Sequence, residues 1–337
     1  MLKAITFADV LIVPKHSDIR SRKEVSLTTV LGQVKLTLPV ISANMKSVSG
    51  VAMAIAMNEQ GGMGILHRFQ SIEEAVQDVK TLLTYPGINF GVSIGVQKED
   101  KDRFDVLYEA GARIFAIDVA HGDHTLSIEM LQWIKAKKLV NQGLFLIAGN
   151  VATGEGALSL ARAGADCIKV GIGPGRACTT RKNTGVGVPQ LTALQWVSAA
   201  LDDAQMDCSI IADGGIKSIG DIAKALKYAD AVMLGSFVSG TIETPGKVFR
   251  DENDQYYKVY QGSASGENKE DNGQPTDFVE GIAIKVPFRG HVKYILREIG
   301  DGLRSCFSYV GARTMSEFRL NCDFVEISGG GKSESKL

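Results

Sequence analysis

LFLIAGNVATGEGALSLARAGADCIKVG, residues 144–171, decides the fold. LFLIAG (144–149) is an apolar run of strand length. GALSLARAGAD (156–166) is an amphipathic helical stretch that ends near glycine, and CIKVG (167–171) is a second apolar run. Both runs are apolar throughout and do not alternate, as expected of strands buried on both faces of a parallel sheet. Parallel strands need a crossover connection, and the helix between them supplies it.

The same unit recurs on either side. PVISANM (39–45), GMGIL (62–66), FGVSIGV (90–96), RIFAID (113–118), SIIADGG (209–215) and AVMLGS (231–236) read as further strands. VAMAIAMNEQ (51–60), SIEEAVQDVKTLL (71–83) and SIGDIAKALKYAD (218–230) read as helices, the second opened by a capping box of Ser71 with Glu74. Eight strand-helix units over roughly 250 residues predict an α/β fold, the (β/α)8 TIM barrel. A doubly wound sheet is the competing reading, but its GxGxxG turn followed by an acidic residue is not evident near the N-terminus. Polar residues gather where the strands end: Asn44, His67, Asp118, Gly149-Asn150, GIGPG (171–175), Asp213-Gly214-Gly215 and Gly235-Ser236. In a barrel that face carries the active site.

Residues 244–290 break the repeat after strand eight. KVFRDENDQYYKVYQG (247–262) predicts a hairpin turning at Glu252, Asn253 and Asp254, and SASGENKEDNGQPTD (263–277) is too polar and glycine-rich to pack. A mobile flap over the barrel mouth is expected. Residues 1–329 then form one domain with the flap inside it, and 330–337 are expected to be a disordered tail. That tail ends in Ser335, Lys336 and Leu337, the tripeptide read as an import address for the peroxisome or glycosome. In an organism without such an organelle the match is coincidence and the expectation is cytoplasmic.

The chain has 337 residues, a formal net charge of −1, 45% hydrophobic and 22% charged residues, the balance of a globular protein with a substantial core. No basic excess argues for nucleic acid, no apolar run approaches a membrane span, and no secretory signal opens the chain. Five widely spaced cysteines without a CxxC pair suggest neither zinc nor disulfides, and a reducing compartment. His121 and His124 have no third ligand nearby and read as solvated loop residues.

Cys178 sits in GIGPGRACTTRKNTGVGVPQ (171–190) among glycine, arginine and threonine. Peptide N–H groups and Arg176 or Arg181 there would favour the thiolate, the nucleophilic form. Cys167, inside a strand, and Cys306 read as inert buried thiols. Gly171, Gly173 and Gly175 allow either carbonyls turned to a cation or N–H groups turned to a phosphate. Gly214, Gly215, Gly235 and Ser236, after strands seven and eight, suit a phosphate, with helix N-termini expected to add donors. Asp213 would bind ribose hydroxyls or serve as a turn residue.

The chain resembles the IMP dehydrogenase/GMP reductase family over nearly its whole length. The resemblance runs from FADVLIVPKHSDIRSR (7–22) through SANM (42–45), IDVAHG (117–122), AGNVATGE (148–155), KVGIGPGRACTTR (169–181), IIADGGI (210–216), VMLGS (232–236) and EGIAIKVPFRG (280–290) to DGLRSCFSYVGA (301–312). It implies a barrel assembled as a homotetramer, a purine nucleotide substrate, NAD(P) and a covalent cysteine. Cys178 would attack C2 of the base, with Thr180 and Glu280 relaying a proton. Asp213, Gly214, Gly215, Gly235 and Ser236 would hold ribose and phosphate, and Ser263, Ser265 and Gly281 the base. Arg68, Asp118, Val119, Ala120, Ile172 and Gly173 would line the cofactor, joined by Ser21 and Arg22 of a neighbouring subunit. Gly173, Gly175, Cys178 and Arg181 would hold potassium.

Family members either oxidise IMP with NAD+ or reduce GMP with NADPH. The oxidising branch hydrolyses its intermediate with an Arg-Tyr pair on the flap, and residues 263–279 contain neither. RKNTG (181–185) also resembles the reducing branch. Only PGIN separates TLLTY from FGVSIGV, where most dehydrogenases carry a regulatory CBS pair, although a trimmed chain would read identically. The resemblance therefore favours NADPH-dependent reduction of GMP in purine salvage, with IMP oxidation and a catalytically retired nucleotide sensor as alternatives. Two residues depart from the pattern: Arg176 replaces a common serine near the phosphate, and Asp277 replaces a common flap arginine.

Overall fold

The computed structural model describes residues 3–139, 142–262 and 279–334. Eight parallel strands close into a barrel: β1 (Val40–Ser42), β2 (Met63–Leu66), β3 (Phe90–Ile94), β4 (Ile114–Asp118), β5 (Phe145–Val151), β6 (Cys167–Val170), β7 (Ser209–Asp213) and β8 (Ala231–Leu234). Each pairs with the next, and β8 returns to β1 with Val232 beside Val40. These are the eight apolar runs of the sequence. Every residue of β1, β2, β3, β6 and β8 is buried, which accounts for their lack of alternation. Closure leaves no strand edge open to another chain.

Helices α1 (Val51–Glu59), α2 (Ile72–Leu83), α3 (Lys98–Glu109), α4 (Thr125–Ala136) and α5 (Gly154–Ala163) follow the first five strands. A short α6 (Thr180–Thr184) precedes α7 (Gln190–Asp203), and α8 (Ile219–Ala225) follows β7. Side-chain caps set the starts: Ser71 accepts from the Glu74 N–H at 3.1 Å and Thr153 from the Gly156 N–H at 3.1 Å. His124 caps α4 by accepting from the Leu126 N–H, so this histidine is structural. The eighth barrel helix is α9 (Val292–Tyr309), which packs beside α8 and α1 through Val292, Ile295, Leu296, Ile299, Leu303 and Phe307. Phe307 stacks on Phe318 of α10 (Met315–Asn321) at 4.1 Å between ring centres.

The flap is inserted between β8 and α9. It forms an antiparallel sheet of β9 (Phe249–Arg250), β10 (Tyr256–Gln261) and β11 (Ala283–Pro287). The predicted turn is present, with Asp251 accepting from the N–H groups of Asn253 and Gln255. Buried Lys258 of β10 donates to the Thr244 carbonyl at 2.6 Å, anchoring the sheet to the loop that leaves the barrel. At the opposite end of the barrel, the hairpin Thr29–Leu31 and Val34–Leu36 packs Gly32 on the Phe145 ring, at the start of β5.

One expectation is corrected. The tail from residue 330 is not wholly disordered, because α11 (Gly329–Glu334) forms. Ser328 accepts from the Gly331 N–H at 3.3 Å, and Lys332 pairs with Asp9. The preceding strand Phe324–Glu326 is already paired with Val10–Ile12, so the tail starts from a fixed point. Ser335, Lys336 and Leu337 lie outside the described residues.

Candidate active site

A cavity of about 960 Å³ opens at the C-terminal ends of the strands. Its floor is a line of charges. Lys169 of β6 is the lone charged residue in a strand buried along its whole length, and its side chain is 4% exposed. Its ammonium lies 2.7 Å from Asp213 Oδ2 and 3.5 Å from Asp118 Oδ1. Burial works against that charge, but Asp213 and then Asp118 outweigh it, so the lysine is held above its ordinary range. The Asn150 amide donates to Asp213 Oδ2 at 2.9 Å and to the Gly171 carbonyl at 2.7 Å. At the other end Arg68 Nε stands 4.0 Å from Asp118 Oδ2, buried and without a hydrogen bond among the described residues. The line thus runs Arg68, Asp118, Lys169, Asp213, Asn150 across four neighbouring strands and the loop that follows β2.

Glycine lets the ends of β6 and β7 touch. Gly171 has φ +148°, and a Cβ there would lie 2.0 Å from the Asp213 carbonyl oxygen. The Gln190 amide bridges the same strands, donating to the carbonyls of Val170 and Asp213. The expected helix N-termini behave differently. Asp221 accepts from the N–H groups of Lys217 and Ser218 and donates its own N–H to Ser218 Oγ, a capping box that opens α8, whereas turns and not a helix follow β8.

Cys178 is the one cysteine that lines this cavity. Burial pushes the Cys167 thiol well up, Cys208 and Cys322 to about 12 and Cys306 to about 11, so those four stay protonated and inert. Cys178 Sγ donates to Thr180 Oγ1 at 3.2 Å, and Thr180 Oγ1 donates to Glu280 Oε2 at 2.5 Å. The last two residues are a hundred positions apart. Main-chain pairing brings them together: the Thr179 N–H donates to the Glu280 carbonyl at 2.9 Å, and the Ile282 N–H to the Ala177 carbonyl at 3.0 Å. These bonds flank a bridge between Cys178 and Gly281, so the flap's returning limb is zipped onto the cysteine loop.

Arg181 packs behind the loop. Its guanidinium donates to the carbonyls of Ile172 and Val188, and burial holds its pKa below the usual range. The carbonyls of Gly175 and Arg181 each accept one N–H, at 3.1 Å, while those of Gly173 and Cys178 accept none among the described residues. All four candidate cation ligands are neutral main-chain carbonyls, with no carboxylate among them.

The cavity brings together Arg68, Asp118, Val119, Ala120, Ile172, Gly173, Gly175, Cys178, Thr180, Asp213, Gly214, Gly215, Gly235, Ser236, Glu280 and Gly281. Ser263, Ser265 and Asp277 lie outside the described residues. Ser21 and Arg22 do not line it; Ser21 caps the turn Arg22–Glu24. The sequence reading missed Lys169, Tyr260 and Arg289. A lone lysine inside an apolar strand was the available signal for the first. Tyr260, pushed above its ordinary range by burial, holds its hydroxyl over Gly235, where a Cβ would lie 2.7 Å away.

A model described as the IMP dehydrogenase / GMP reductase domain matches residues 4–337. GMP reductase from Pediococcus pentosaceus is 38% identical, the match covering 97% of each chain. Inosine-5'-monophosphate dehydrogenase from Borreliella burgdorferi is 35% identical over 99% of this chain and 96% of its own. Among solved structures, a cysteine-to-alanine variant of GMP reductase from Trypanosoma brucei in complex with guanosine 5'-monophosphate is 29% identical. It superposes with a TM-score of 0.92 over 100% of this chain and 98% of that one.

Proposed function

The chain belongs to the IMP dehydrogenase/GMP reductase family, and within it we propose that it is an NADPH-dependent GMP reductase, converting GMP to IMP and ammonia in purine salvage. The observation that carries this reading is the unbroken line from Cys178 through Thr180 to Glu280. As drawn by its donors, the line leads the thiol proton to the carboxylate. Sulfur adds to C2 of the base, and Glu280 returns the proton through Thr180 to the exocyclic nitrogen. The C2–N bond then breaks and ammonia leaves a covalent thioimidate. A bound dihydronicotinamide would supply hydride to C2, after which the C–S bond breaks and the thiolate is regenerated.

The flap sequence favours reduction over hydrolysis. Residues 263–279 hold neither arginine nor tyrosine to activate water, so the intermediate persists until hydride arrives. Relatives of both names match this chain, and oxidation of IMP is the second reading. In our reading Asp213 with Gly214, Gly215, Gly235 and Ser236 receives ribose and phosphate. Arg68, Asp118, Val119 and Ala120 face the cofactor. Potassium on the carbonyls of Gly173, Gly175, Cys178 and Arg181 would steady the cysteine loop. Ser21 and Arg22 would reach the site of a neighbouring copy in a homotetramer. The terminal SKL would direct import into a peroxisome or glycosome, an assignment that blocking the C-terminus with a fluorescent fusion tests.

The deciding experiment is a pair of assays. Reduced-nicotinamide absorbance should fall with GMP and NADPH, and should not rise with IMP and NAD+. The reverse pattern would assign the dehydrogenase, and nucleotide binding without turnover in either assay would assign a sensor.

A further inference from the structure

Arg176 stands two residues before Cys178 and lines the cavity, yet it forms no hydrogen bond or ion pair among the described residues. Its charge is felt at the Tyr260 hydroxyl, where it opposes the effect of burial and of Asp213. That hydroxyl lies against Gly235, at the turn after β8. Arg289 approaches the same turn from the flap. Its N–H donates to the Gly240 carbonyl at 2.8 Å and its Nη1 to the Phe237 carbonyl at 2.8 Å, and its side chain also lines the cavity. The three carboxylates in the cavity lining are engaged elsewhere: Asp118 and Asp213 by Lys169, and Glu280 by Thr180. Two guanidinium groups therefore line the cavity, Arg289 against the turn after β8 and Arg176 on the cysteine loop whose Pro174 and Gly175 lie against Gly214, and among the described residues neither is paired with a carboxylate. Guanidinium forks match phosphate oxygens in geometry as well as charge.

We propose that Arg176 and Arg289 form a two-armed clamp on the 5′-phosphate dianion of the substrate, and that this grip draws the cysteine loop and the flap together. The clamp rests on the reading of the substrate as GMP. One arm is on the loop that carries Cys178, and the other follows the strand that begins just after Glu280. Phosphate held between them ties together the two segments that must meet for chemistry. Binding energy from a part of the substrate remote from C2 is thereby used to assemble the catalytic line.

The test separates phosphate from nucleoside. With guanosine as substrate, added phosphite dianion should raise turnover at least about tenfold, because remote binding energy is being spent on closure. Arg176→Ser and Arg289→Met should each reduce that activation ratio to about threefold or less. A merely structural effect on the loop would lower turnover with and without phosphite alike and leave the ratio unmoved. Calorimetry gives a second arm that needs no turnover: Arg176→Ser should weaken GMP binding at least about tenfold more than guanosine binding. No phosphite activation in an enzyme that turns over GMP, or equal losses for GMP and guanosine, would overturn the clamp. If GMP is bound but not converted, the calorimetric arm still decides the clamp, and the reductase reading alone has failed.

Discussion

The two halves of the cavity are built by different means. The floor is made of strand ends, where parallel register sets Lys169 of β6 beside Ile211 of β7 and so within reach of Asp213. The roof is made of two loops far apart in the chain, the cysteine loop and the flap, joined by two main-chain hydrogen bonds around Cys178. The floor is part of the barrel core and stands or falls with the fold. The roof can open by releasing a few bonds while the barrel stays intact. On the proposed function the floor would hold the ribose, while the roof would carry the chemistry and the arginine arms of the phosphate clamp.

Substitutions should separate the two. Cys178→Ala removes the roof's nucleophile and should lower turnover by at least about 10⁴-fold while GMP still binds, as seen generally when a covalent catalyst is deleted; turnover and calorimetry on the same sample check both statements. Lys169→Met strikes the floor. It removes the cation between Asp118 and Asp213, leaving Asp118 only Arg68 at 4.0 Å and Asp213 only the neutral Asn150 amide, and should cost about 3–5 kcal/mol of stability in urea unfolding. Unchanged stability would mean the floor is not the rigid half. Glu280→Gln returns to the roof: turnover should fall about 100-fold or more for loss of an acid-base group, with stability and GMP affinity nearly unchanged.

The smallest effect is one of pH. His67, at the end of β2, is pushed down from 6.5 to about 4, chiefly by burial and then by Lys46 and Arg103. Its Nδ1 accepts from the Phe69 N–H at 3.1 Å, so the native ring is neutral. Stability from this group is complete above about pH 6.5. It is lost as pH falls towards about 4, because only the unfolded chain takes up the proton, for a total of up to about 3 kcal/mol. His67→Gln should flatten this part of the unfolding profile, and an equally steep profile would sink the assignment.

Most of the floor's scaffold was legible in the sequence, because burial on both faces writes a strand as a continuous apolar run. The eight runs, the capping box at Ser71 and the flap after β8 all follow from local pattern. Lys169 was hidden by the same rule: a lysine in CIKVG looks like an interruption until its partners are known, and those lie on strands distant in sequence. Cys178 and Thr180 were legible as an unusual cluster. Their link to Glu280 rested on family resemblance, since no local pattern announces a contact across a hundred residues. Tyr260 was concealed by hairpin alternation, in which an inward-facing tyrosine reads as ordinary packing. The tail's short helix carries the Lys332–Asp9 pair, a contact between the two ends of the chain that no local pattern announces.

The central claim is that Cys178 carries the base after the amino group has left and before hydride arrives. Quenching the enzyme with GMP and NADPH during turnover, then weighing the peptide that contains Cys178, tests it most directly. The account predicts a mass gain equal to GMP less ammonia, absent from Cys178→Ala. An unmodified peptide while IMP accumulates would contradict it.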